Sequence, residues 1–271
     1  MSDGRTYVLG TAEAERERLK QQHAIGRNDC LRGWRRAGFC AGQRLLDLGC
    51  GPGFAARDLA ELVGSQGQVL AIDSAPAYLQ HLHEESPLPQ RQTLEHDLAT
   101  PRPRGVLERH GWDGAWCRWV AMFLPQLEPL LDLLQEALRP GARLVLHEYV
   151  QWDTFALHPE GPQLARFVQR CIRYWKEHGG DPHVARRLPA LLEERGFRLL
   201  HSSCLRTCTT GDHPKALWLQ DFLASYPAQL SAAGRWSPEE QSALEAELQQ
   251  ARDRASLWVS PALVELVWEH P

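Results

Sequence analysis

The chain has 271 residues, 43% of them hydrophobic and 24% charged, with a formal net charge of −4. That length suits one large domain, or a domain with a small cap, with enough apolar residues to bury a core. The charge provides no global field favouring nucleic acid or an anionic membrane, and no stretch reaches the ~20 apolar residues of a membrane span.

Met1-Ser-Asp-Gly-Arg5 has no apolar core, so no signal peptide is expected. Seven cysteines are scattered at 30, 40, 50, 117, 171, 204 and 208. An odd, dispersed set points to reduced thiols and a cytoplasmic protein. No Cys-x-x-Cys or His-Glu-x-x-His occurs, so no metal site is expected.

In chain order, Thr6–Gly10 reads as extended, and Thr11 can cap a helix from Ala12 to about Ala24. A second helix is predicted over roughly Arg27–Phe39, with Leu31, Trp34 and Phe39 as its apolar positions. Residues 1–40 thus form an N-terminal helical arm, packed on the rest or folding over it as a lid. Arg44–Leu48 is a short apolar strand, followed by Gly49, Gly51 and Gly53 and a helix over Phe54–Val63. Glycines in such a turn allow a sharp reversal and close approach of a ligand, and the helix N-terminus adds free amides. Val69–Asp73 is a second strand, placing a carboxylate where it reaches ribose hydroxyls. Two nucleotide cofactors fit this geometry, a dinucleotide and S-adenosylmethionine.

Ser74 starts a helix running to about Glu85, Gln90–Glu95 is a weaker strand, and it ends at His96-Asp97-Leu98. Trp112–Arg118 is the fourth strand, Leu127–Leu138 an amphipathic helix, Arg139–Ala142 a turn and Arg143–His147 the fifth strand. An inserted helix is predicted over Pro162–His178, with Leu164, Phe167, Val168, Cys171, Ile172 and Trp175 on one face. Pro182–Glu194 is the next helix and Phe197–Leu205 the sixth strand. A second insertion follows, with helices near Ala216–Tyr226 and Pro238–Ser256, and Pro261–Glu269 is the last strand. The alternation predicts an α/β chain: a Rossmann-like, doubly wound, seven-stranded, mostly parallel sheet. Residues 41–271 form this main domain, and the insertions at about 150–181 and 211–257 leave from strand carboxyl ends. They should form a helical cap over the ligand site.

Leu-Asp-Leu-Gly-Cys-Gly-Pro-Gly resembles motif I of the class I S-adenosylmethionine-dependent methyltransferases. Gly-Gly-Asp-x-x-x-Ala-Arg-Arg-Leu-Pro-x-Leu-Leu-x-x-x-Gly-Phe, ending at Phe197, resembles a segment of the ubiquinone/menaquinone-biosynthesis type. The arm, Tyr-x-x-Gly then Glu-x-x-Arg-Leu and Gln, is similar to that of the same relatives. The resemblance implies S-adenosyl-L-methionine as cofactor, with S-adenosyl-L-homocysteine as product. It implies contacts from Asp47, Gly49, Cys50, Gly51, Asp73 and Ser74 at the turn and ribose, and from Asp97 and Leu98 at the adenine. It adds Arg118 and Trp119 after the fourth strand, and Tyr7, Arg18 and Gln22 of the arm at the methionine end. The group shares a reaction rather than an acceptor.

Methyl transfer from a sulfonium is an in-line displacement, and a base is needed only for an acceptor that arrives protonated. Candidate bases are His147, Glu148, Tyr149, His158 and His178, with Glu148 best placed by position. Trp152, Phe155, Tyr174 and Trp175 are candidates for an apolar acceptor pocket or for plain cap core. The reading is a methyltransferase for a small, apolar or aromatic molecule, acting as a monomer or homodimer. The alternatives are a protein or nucleic-acid methyltransferase, and a cofactor-binding protein without turnover.

Overall fold

The strands, in chain order, are β1 (Arg44–Leu48), β2 (Gln68–Asp73), β3 (Arg91–Glu95), β4 (Trp112–Arg118), β5 (Leu138–Gln151), β6 (Ala156–His158), β7 (Arg198–Cys204), β8 (Cys208–Thr210), β9 (Leu257–Val259) and β10 (Ala262–Glu269). The helices are α1 (Glu13–Ala37), α2 (Phe54–Val63), α3 (Pro76–Glu85), α4 (Glu128–Ala137), α5 (Pro162–Glu177), α6 (Leu188–Glu193), α7 (Pro214–Ala232) and α8 (Pro238–Asp253). The structure is a computed structural model and describes residues 13–85, 88–101 and 107–271.

Seven strands form one sheet in the order β3-β2-β1-β4-β5-β10-β7. β1 pairs in parallel with β2 and β4, and β2 with β3 and β4 with β5 continue the parallel run. β10 alone runs antiparallel, between β5 and β7. This is the doubly wound, mostly parallel sheet expected. Its strand order reverses between β1 and β4, which is where such sheets open a ligand crevice.

Helices cover both faces. Trp34 of α1 and Leu59 of α2 bury one face with Leu45, Val69, Trp116, Val145 and Val267. Leu130, Leu131 and Leu134 of α4 bury the other with Leu46, Leu48, Leu70, Leu144 and Leu146. Strands buried on both faces lose the alternating pattern and read as apolar runs, as β1 does.

The cap combines α5, α7 and α8 with a small antiparallel sheet, β6-β9-β8. Glu247 of α8 accepts hydrogen bonds from the Gln163 and Leu164 amides at 2.8 Å each, closing the N-terminus of α5. Trp175 Nε1 of α5 donates to the Tyr226 hydroxyl of α7 at 2.5 Å.

The structure departs from the sequence expectations in several places. The two arm helices are one continuous helix, α1, despite Gly26 at its middle. The ~1 kcal/mol cost of that glycine is offset by burial of His23, Cys30 and Trp34 along the same face. Gly33 lets α1 lie close on the sheet, since a Cβ there would sit 2.5 Å from Glu265 Oε2. The helix expected over 182–194 divides into a 3₁₀ turn at Val184–Arg186 and α6. The turn expected at Arg139–Ala142 is absorbed into β5, which begins at Leu138. Finally, α8 stops at Asp253, and Leu257–Val259 is a strand of the cap sheet.

Candidate cofactor and active site

The glycine turn sits at the carboxyl end of β1. Gly49, Gly51 and Gly53 all have positive φ, at 67°, 53° and 84°. At Gly49 a Cβ would collide with the Val120 side chain, and at Gly53 with Leu82, so two of the three glycines are required by packing as well as by φ. At Gly51 a Cβ would meet nothing within 4 Å. That side of the turn faces open space.

The amides of the turn are largely spent inside the protein. Gly49 and Cys50 donate to the Ile72 carbonyl at 2.8 and 2.9 Å. Gly51 donates to Asp73 Oδ2 at 2.8 Å, and Asp73 Oδ1 accepts from the Ala75 amide at 2.9 Å. A pyrophosphate would seek exactly such amides, so this turn suits a dinucleotide poorly. Asp47, by contrast, is 2% exposed and its Oδ2 has no hydrogen-bond partner among the described residues. Burial, with Asp73 adding to it and Arg118 opposing, pushes the Asp47 carboxyl up to about 7. Burial also raises Asp73, against the pull of its backbone amides. A buried carboxylate short of a partner calls for a cation or a hydroxyl donor.

One cavity of about 870 Å³ opens from this turn. Asp47, Gly49, Cys50, Gly51, Asp73, Ser74, Asp97 and Leu98 line one end, with Arg18 and Gln22 of α1 and Arg118 at the end of β4. Asp97 folds into a local turn, its Oδ1 accepting from the Ala99 amide at 2.9 Å. The other end is aromatic: Tyr149, Trp152, Phe155 and Trp175 face Trp218 and Phe222 of α7. Trp119 stands between the two ends in a left-handed backbone conformation, φ 57°. Its ring lies parallel to those of Tyr149 and Trp218, at centroid distances of 6.1 and 5.8 Å. The Arg118 guanidinium carbon sits 4.7 Å over the same ring. A bulky residue at positive φ is rare and costly, and marks a position that its surroundings enforce.

Arg118 is held in turn by α1. Its Nη1 donates to Cys30 Sγ at 3.0 Å and its Nη2 lies 3.1 Å from His23 Nδ1. His23 Nε2 lies 3.1 Å from Asp58 Oδ2 of α2, which also accepts from Arg27 at 2.6 Å. His23 is buried and burial lowers its affinity for a proton. Neutral His23 accepts from Arg118 at Nδ1 and donates to Asp58 at Nε2.

A sequence family described as "Methyltransferase domain" matches residues 45–141, which run from β1 to the start of β5. Residues 45–141 therefore carry a methyltransferase domain. The chain is 30% identical over 139 residues to 2-phytyl-1,4-naphthoquinone methyltransferase of Synechococcus elongatus, covering 49% of this chain and 54% of that one. It is 28% identical over 165 residues to a ubiquinone biosynthesis O-methyltransferase of Xanthomonas euvesicatoria, covering 59% and 64%. The matched part spans about half the length of the first of these relatives. In fold it is similar to geranyl diphosphate C-methyltransferase of Streptomyces coelicolor, with a TM-score of 0.58 at 13% identity, over 97% of this chain and 87% of that one.

Of the expected cofactor contacts, Tyr7 lies outside the described residues, and the others share the one cavity. The expected bases divide. Tyr149 is on the cavity wall, and burial pushes its phenol well above the ordinary value. Glu148 does not line the cavity; it is 0% exposed and its Oε1 accepts the Val120 and Ala121 amides. His147 points to the α1 side of the sheet, where its Nε2 lies 2.9 Å from Glu265 Oε2. Adjacent strand residues face opposite ways, so His147, Glu148 and Tyr149 cannot all serve one site. His158 and His178 do not line the cavity either. Trp152, Phe155 and Trp175 line it, and Tyr174 does not.

Sequence reasoning missed Trp218, Leu219 and Phe222 on the wall. Their spacing of one, three and four on a predicted helix was the available signal.

Proposed function

We propose that the chain transfers the sulfonium methyl of S-adenosylmethionine to a small, largely apolar aromatic molecule. The observation that carries this reading is the single cavity joining the glycine turn to the aromatic chamber beneath α5 and α7. Two relatives are named for quinone chemistry, a phytyl naphthoquinone and ubiquinone biosynthesis, which favours a flat ring acceptor.

The unpartnered Asp47 oxygen and the open face of Gly51 fit the cofactor. Asp73 would accept the ribose hydroxyls, and Asp97 and the Leu98 amide would hold the adenine. Asp47, with Arg18 and Gln22, would hold the charged methionine end. When bound, the cofactor supplies an activated methyl that needs only alignment with a nucleophile. Trp152, Phe155, Trp175 and Phe222 exclude water and hold the acceptor ring. Tyr149, kept protonated by burial, would orient an acceptor oxygen as a hydrogen-bond donor rather than act as a base.

No described helix is long and apolar enough to cross a membrane. All seven cysteines are free thiols, which supports a cytoplasmic location.

The test is incubation with methyl-labelled S-adenosylmethionine and a size-fractionated lysate. Label in the low-mass fraction is the expected result. Label in protein or nucleic acid would overturn the small-molecule reading, and no transfer to any fraction would overturn the enzymatic one.

A further inference from the structure

Glu148 is a fully buried carboxyl that does not line the cavity. It lies on β5, opposite Val264 of β10, with no exposed surface. Its Oε1 accepts two consecutive amides, Val120 at 2.8 Å and Ala121 at 2.9 Å, and Cys117 Sγ approaches the same oxygen at 3.9 Å. Its Oε2 has no hydrogen-bond partner among the described residues. The two amides belong to the loop that leaves β4 and enters the 3₁₀ turn Ala121–Phe123.

That loop is part of the cavity wall. Trp119, Val120, Met122 and Phe123 all line it. Val120 packs so closely on the glycine turn that Gly49 has no room for a Cβ. Trp119, one residue before the first bonded amide, adopts the left-handed conformation. A strained residue persists only where its neighbours are pinned. On one side Trp119 is pinned by its own amide, which donates to the His147 carbonyl at 3.0 Å. On the other side the pin is the Glu148 carboxyl.

We propose that Glu148 is a positioning residue: through the Val120 and Ala121 amides it sets the loop that places Trp119 between the cofactor and acceptor halves of the cavity. The proposal rests on the reading of that cavity as a methyl-transfer site. It replaces the role of general base, for which a side chain must reach the acceptor. Burial pushes the Glu148 carboxyl up to about 7, with the loop amides opposing that shift. The amides need an acceptor oxygen more than they need a full charge, so a carboxamide oxygen serves as well.

The first test is hydrogen exchange of the wild-type protein without ligand. The Val120 and Ala121 amides are expected to be protected; exchange at free-peptide rates would overturn the proposal. The second compares near-ultraviolet circular dichroism of Trp119→Phe, Glu148→Ala and Glu148→Gln, again without ligand. Glu148→Ala should lose the band that Trp119→Phe loses, and Glu148→Gln should keep it. A folded Glu148→Ala that keeps the band would overturn the proposal. The third is the Kd for S-adenosylhomocysteine, expected to rise about tenfold or more in Glu148→Ala and to stay within about threefold in Glu148→Gln. If Glu148→Ala does not fold, amide exchange and the Glu148→Gln band still decide, because loss of that band also overturns the proposal. Failure of the wild-type protein to bind S-adenosylhomocysteine would overturn the cofactor reading instead, and the two ligand-free measurements would still judge the brace.

Discussion

The Asp73 carboxylate accepts the Gly51 amide at 2.8 Å, so the residue proposed to hold a ribose also holds the turn beside it. Asp73→Ala removes both functions. It should weaken binding of S-adenosylhomocysteine by about 1–3 kcal/mol and cost a similar amount of stability, since two buried amides lose their acceptor. Calorimetric titration and thermal denaturation check the two effects. Unchanged affinity in a folded variant would remove Asp73 from the ribose site.

Asp47 should carry a conflict between stability and binding. Its folded value of about 7 lies above the ~3.9 of an unfolded chain. The folded state therefore binds more protons than the unfolded state between these values, and stability is lost as pH rises through that window. Glu148, also raised to about 7, adds to the same slope. Asp47→Asn should flatten part of the slope and raise the ligand-free melting temperature near pH 7.5 by about 2–4 °C, while weakening cofactor binding. Denaturation at pH 5 and pH 8 in both proteins measures this, and a variant that binds cofactor normally would exclude a contact from Asp47.

Asp58 behaves in the opposite sense. Its carboxyl is 4% exposed and is held below its ordinary value by His23 and Arg27, which outweigh the cost of burial. Stability from this group is present above the unfolded value and is lost as pH falls through the folded one. Asp58→Asn should cost about 1–3 kcal/mol at pH 7, and the difference from wild type should shrink below pH ~4. Urea denaturation across that range reports it. A constant difference down to pH 3 would mean that packing, not charge, holds α1 to α2.

Trp218→Ala should separate the two ends of the cavity. The ring lies 5.8 Å from Trp119 and nearly parallel to it, at 7°, on the α7 side. Its loss should cost about 1.5–3 kcal/mol of acceptor binding through lost apolar contact, seen as a raised KM. The Kd for S-adenosylhomocysteine should change less than about threefold. Equal losses for both ligands would place the aromatic chamber in the cofactor site.

The reading of the fold from residues succeeded where the signal is local. β1, the three glycines, α2 and Asp73 lie within 30 positions of one another, and apolar runs, turn chemistry and helix periodicity each report on neighbouring residues. It failed where long-range packing decides. The three-residue strands β6, β8 and β9 are too short for any periodicity, and they exist because they pair with one another. Gly26 reads as a break in the arm, yet α1 runs through it because the sheet supplies a surface for its buried face.

By itself, the sequence determined a strand–glycine turn–helix unit, an acidic residue after β2, a sheet of alternating strands and helices, and two insertions at its carboxyl edge. Those features depend on covalent neighbours and on backbone sterics. Only the tertiary structure decided which of His147, Glu148 and Tyr149 faces the cavity, because one strand residue's side is set by what packs against each face of the sheet. Only the tertiary structure brought α7 aromatics 100 residues from β4 against Trp119, because burial of apolar surface is indifferent to separation along the chain.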